Sequence, residues 1–102
     1  MTVNGPLRAI HFVDFEDFRA NRRPGSYYVA PGDALGEWFF WYCCPCGCKV
    51  IAPITVGANF KPPSSPSWNW NVSKTEPTLT PSVHHKGHWH GWLRDGYWTV
   101  CA

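Results

Sequence analysis

The sequence predicts a mainly β, small single-domain antiparallel fold built of hairpins, and three observations point to it. Ten Pro and nine Gly in 102 residues interrupt the chain too often for long helices. Short apolar, aromatic and β-branched runs recur between turn signals, as in small β domains. Seven Trp and an aromatic content of 17 % supply large side chains to fill a compact interior.

Residues 1–102 read as one domain, small enough to bury only a modest fraction of its surface and to need a staple. Charged residues make up 16 % of the chain and the net charge is +2. That balance argues against disorder and against a polyanion-binding surface, so nucleic acid is not an expected partner. No apolar run approaches the roughly 18 residues of a bilayer span, and no leader-like segment opens the chain. A cytoplasmic location without membrane contact is the expectation.

Leu7 to Val13 reads as a first strand. Phe12, Phe15 and Phe18 recur at helical spacing, so Asp14 to Ala20 can form one or two helical turns. Asn21 to Ser26 is a turn, and its arginines read as a solvated loop. Tyr27 to Val29 is a short strand stopped by Ala30-Pro31-Gly32-Asp33. Glu37 to Cys43 is the most apolar run, and a strand of five aromatics cannot leave both faces in water. Lys49 to Val56 returns as its hairpin partner. Gly57 to Pro66 reads as a mobile loop, and Trp68 to Val72 alternates as a strand. In Glu76 to Val83 the two prolines argue against helix and central-strand pairing, leaving an extended edge or loop. Trp89 to Leu93 and Tyr97 to Cys101 flank Asp95-Gly96, a hairpin turn signal.

Four of five cysteines fall within six residues, Cys43-Cys44-Pro45-Cys46-Gly47-Cys48. In a reducing compartment such a cluster favours metal over disulfide, and the close spacing would strain a bridge. Cys43 and Cys46 form a C-x-x-C pair, while Cys44, Cys46 and Cys48 alternate. Either set can grip zinc, but a closed tetrahedral site needs further ligands. His84, His85, His88, His90 and Cys101 are available. His88 and His90, two apart on a strand, share a face, whereas His84 and His85 read as solvated loop residues. Thr78, Thr80 and Ser82 alternate between prolines, and their hydroxyls can satisfy local backbone. The sharper reading makes Ser82 a nucleophile and His90 its base, although no Gly-x-Ser-x-Gly elbow is present. The Trp-rich composition serves a core, a sticky binding face, or both.

The order Tyr-Tyr-Val, Cys-Pro-Cys-Gly-Cys, a Trp-containing strand, Pro-Thr-Leu-Thr-Pro-Ser-Val, His-Gly-Trp-Leu-Arg-Asp-Gly and a terminal Cys resembles a family of small Cys-rich bacterial and phage proteins of unknown function. The resemblance covers Ile10 to Cys101. Phage members often carry the label ammonia monooxygenase, yet nothing here resembles a copper oxygenase. The resemblance implies a zinc-binding β domain and favours the alternating triple. It places Ser82 and His90 on motif positions, with His88 near where the family carries a Cys. It also implies that some bacterial relatives act as peptidases beside ubiquitin-like conjugation systems. The resulting expectation is a structural zinc held by Cys44, Cys46 and Cys48 with His88 or Cys101. The first function expected is a phage or prophage accessory protein that binds a host or phage protein through an aromatic face. The rival is a small peptidase acting on a host or ubiquitin-like protein through Ser82 and His90, or through a zinc-bound water.

Overall fold

A computed structural model describes residues 6–32 and 35–101. It contains β1 (Leu7–Arg8), β2 (Ile10–His11), α1 (Phe15–Asn21), β3 (Ser26–Ala30), β4 (Glu37–Cys43), β5 (Ile51–Ala58), β6 (Trp68–Trp70), β7 (Leu79–His85), β8 (Trp89–Arg94) and β9 (Tyr97–Val100). Asp33, which ends the expected turn after Ala30, lies outside the described residues.

The mainly β expectation holds: the nine strands among the described residues form one sheet in the order β1-β9-β8-β7-β6-β5-β4-β3-β2. Its two ends are the same stretch of chain, because only Ala9 separates β1 from β2. β1 pairs antiparallel with β9, and β2 pairs parallel with β3. Residues 7–11 therefore zip the sheet into a near-barrel and protect strand edges that would otherwise be open. A second parallel pairing, β5 with β6, departs from a purely hairpin-built sheet.

The helical alternative for the first phenylalanines is the one realised. Asp14 caps α1, its carboxylate accepting the Asp17 N–H at 3.0 Å. Arg22 ends the helix in the left-handed conformation, with its N–H donating to the Phe18 carbonyl. Phe15 packs edge-on against Tyr28 and Trp41, so the helix covers the aromatic side chains that alternation sends outward from β3 and β4. Phe18 beneath it is fully buried. Phe18→Ala is expected to cost about 3 kcal/mol, read as a lower urea midpoint at unchanged slope.

On the inner face Phe40 stacks on Tyr27, and Trp70 meets Phe40 and Trp38 edge-on. Trp98 joins Tyr42 and Trp89 to continue the core. In the segment after β5, Ser67 donates to the Pro62 carbonyl at 2.6 Å and Pro62 is fully buried, while Pro63 to Pro66 are exposed. Among the described residues no helix is long and apolar enough to cross a membrane.

The principal correction concerns Glu76 to Val83. Leu79 to His85 is an interior strand flanked by β6 and β8, not an edge or loop, and His84 and His85 lie within it. Leu79 pairs with Leu93 but Val83 pairs with Gly91, so β7 advances four residues while β8 advances two. The bulge absorbs Pro81, which has no N–H to give to a ladder. The β8–β9 hairpin forms as expected, with Asp95 and Gly96 at φ 48° and 84°, as a two-residue turn with both φ positive requires.

Candidate active site and metal cluster

The bulge creates the first site. Ser82 and His84, two apart on β7, share the outer face, and His84 is paired with His90 across the ladder. Ser82 is thus diagonal to His90, and its Oγ lies 3.0 Å from His90 Nε2. With the ring proton on Nδ1, Nε2 accepts the hydroxyl hydrogen, as a general base must. The Trp68 indole N–H donates to the Ser82 carbonyl at 3.0 Å, which fixes the backbone behind the hydroxyl. The His90 carbonyl accepts the Cys101 N–H at 2.9 Å. His84 lies against the His90 ring at 4.7 Å between centroids, tilted by 35°. No carboxylate among the described residues hydrogen-bonds to His90, so the acid of a Ser-His-Asp triad has no counterpart among them.

The second site lies at one end of the barrel, where two hairpin tips meet. After β4 the chain turns tightly, the Gly47 N–H reaching the Cys44 carbonyl and the Cys44 N–H reaching that of Val50. Gly47 and Lys49 take positive φ, 90° and 67°. This folds Cys44, Cys46 and Cys48 into a group whose sulfurs all lie within 4.8 Å of one another, and the group can hold a metal ion. Cys43, Cys101 and His88 stand outside it. From the β7–β8 tip, His88 brings Nδ1 to 4.0 Å from the Cys46 sulfur. Ligand atoms around a tetrahedral zinc are separated by about 3.7 Å, so the three sulfurs are close enough to share such an ion, and His88 approaches one of them, Cys46, at a comparable distance.

The electrostatics of Cys44 and Cys46 differ. The Cys44 thiol donates to the Cys46 sulfur at 3.2 Å. Burial opposes the Cys46 thiolate, but hydrogen bonds from Cys44, Cys48 and His88 outweigh it and bring the thiol down to about 7. Burial pushes Cys44 upward. Tyr42 beside them is raised to about 12, by burial first and then by the Cys44 and Cys48 sulfurs.

His85 is the residue that sequence reasoning passed over. It stacks on His88 at 4.6 Å and meets Tyr42 edge-on. Its Nδ1 is buried with no hydrogen-bond partner. Burial, then the neighbouring His88, lowers its pKa, which keeps it a neutral imidazole able to ligate or to back a ligand. The available signal was the spacing of His85 and His88 across a Lys-Gly turn. His88→Ala is expected to lower metal retention more than His85→Ala, measured as zinc per chain by native mass spectrometry. The reverse order would make His85 the fourth ligand.

The fold and the first site define a small closed β domain presenting a Ser–His pair on its wall, beside a thiol cluster at its end. A family model described as "Bacterial ubiquitination-like system serine protease (BubE)" matches residues 12–101, and the chain belongs to this family. No curated protein and no solved structure matches it.

Proposed function

We propose that the protein is a serine protease of a bacterial ubiquitination-like system, with Ser82 as nucleophile and His90 as general base. The observation that carries this is the 3.0 Å contact between Ser82 Oγ and His90 Nε2 in a chain that belongs to a serine-protease family. Ser82 Oγ attacks the scissile carbonyl carbon while Nε2 takes the hydroxyl proton. The proton then passes to the leaving amine as an ester to Ser82 forms. Water, deprotonated by the same nitrogen, cleaves that ester and frees the enzyme. Bound at Cys44, Cys46, Cys48 and His88, a zinc ion would supply structure, tying the β4–β5 and β7–β8 tips together. A serine hydroxyl within hydrogen-bond reach of an imidazole, in a chain of a serine-protease family, favours serine chemistry over a metal-bound water.

The test uses a ubiquitin-like protein fused through its C-terminus to a carrier. Wild type is expected to cut at the junction, and Ser82→Ala and His90→Ala are expected to leave it intact with zinc content unchanged. Binding of the fusion without cleavage would instead favour the accessory-protein reading. Aromatic anchors for that reading would be exposed residues such as Phe39 or Tyr97, which lie on separate strands, since Trp70 and Trp98 are fully buried.

A further inference from the structure

The outer face of β8 continues past His90 to Trp92 and then Arg94. Side chains two apart on a strand point the same way, so these two residues extend the face that carries Ser82 and His90. Trp92 is half-buried and Arg94 exposed. The Arg94 guanidinium lies over the Trp92 ring, 4.2 Å from its centroid. Stacking holds the cation flat and leaves its N–H edge open.

The Arg94 guanidinium forms no hydrogen bond or salt bridge with the described residues. Glu76 and Asp95, the acidic groups near the same turn, make no ion pair with it. Arg8, the other guanidinium at this end of the face, is occupied: it donates to the Thr75 and Asp95 carbonyls and lies over Tyr97. Among the described residues, Arg94 is therefore a cation seated on an aromatic ring of this face with no acidic partner. It stands about 13 Å along the strand from His90 at roughly 3.3 Å per residue, and its guanidinium lies over Trp92, the residue between them on this face. An extended substrate with its scissile carbonyl at Ser82 reaches the guanidinium within a few residues.

We infer that Arg94, seated on Trp92, is a subsite for an acidic side chain on the acyl side of the scissile bond, two to four residues before it. The acyl side is chosen because in ubiquitin-like conjugation the modifier supplies the acyl group, so its tail lies there. A planar guanidinium matches a carboxylate in two parallel hydrogen bonds, while the indole covers the intervening chain. The inference rests on the serine-protease reading.

Peptidyl diphenyl phosphonates test it, in pairs that differ only by Glu or Gln at the second, third or fourth residue before the warhead. Second-order rates of Ser82 modification are followed by intact mass, with a plain alkyl fluorophosphonate on wild type as reference. At one position the Glu probe is expected to react roughly fivefold faster, the size of a partly exposed charge-assisted pair. The preference should fade at high salt, vanish in Arg94→Gln, and turn toward a Lys probe in Arg94→Glu. Equal Glu and Gln rates at every position, or a preference that survives in Arg94→Gln, overturns the subsite. If even the alkyl probe leaves wild type unmodified, the serine-protease reading itself fails and takes the subsite with it. Modification by the alkyl probe without an acid preference sinks the subsite alone.

Discussion

Ser82→Ala is expected to lower cleavage of the fusion by about a thousandfold or more, with the melting temperature essentially unchanged. The first expectation follows from the proposed chemistry: removing Oγ removes the atom that would form the acyl-enzyme bond. His90→Ala is expected to cost a similar amount, and the double variant little more, because nucleophile and base act as one unit. The second follows from position. Ser82 is only half-buried and His90 is exposed, and such substitutions shift stability by about 0.5 kcal/mol or less. An equal loss of activity and of melting temperature would instead point to a structural role for the pair. Cleavage that survives in Ser82→Ala but stops on chelation would move the chemistry to the metal cluster.

The second large effect concerns the cluster. Cys44→Ser, or a strong chelator on wild type, is expected to remove the metal and lower stability by about 5 kcal/mol, a fraction of what a structural zinc supplies when bound. Calorimetry with and without chelator measures it. Activity should fall with the fold. Ser82 and His90 belong to adjacent strands whose connecting turn carries His88, so freeing that turn loosens the ladder that spaces them. Restored zinc should return both signals together. A metal-free protein that melts and cuts like wild type would contradict this account of the cluster.

The strand before the cysteines was legible to the residue, because Glu37 to Cys43 combines high β propensity with clear turn boundaries. The last hairpin was legible because Asp95-Gly96 supports the positive φ values its turn needs. Closure was not. Leu7 to Val13 reads as one strand, and no local pattern shows that it serves β9 on one side of Ala9 and β3 on the other. β7 was hidden by a sound rule meeting its exception. Pro81 argues against a central strand, yet a bulge lets the ladder pass it.

That same bulge is why the candidate site was only partly legible. Ser82 and His90 stood out as residue types, but their contact depends on a register shift that no spacing reveals. His85 was set aside as solvated because its strand was taken for a loop. Within it, His85 turns toward His88 at the cysteine end and His84 toward His90 on the outer face. The alternating triple of cysteines was readable from sequence. Its fourth partner depends on two hairpin tips meeting across the barrel end, which is tertiary information.

The most direct test of the central claim is reaction of the zinc-loaded protein with an alkyl fluorophosphonate, followed by peptide mapping. A single adduct on Ser82, absent in His90→Ala, is the expected result. An unmodified Ser82 in folded, zinc-loaded protein, or modification that persists without His90, would contradict it.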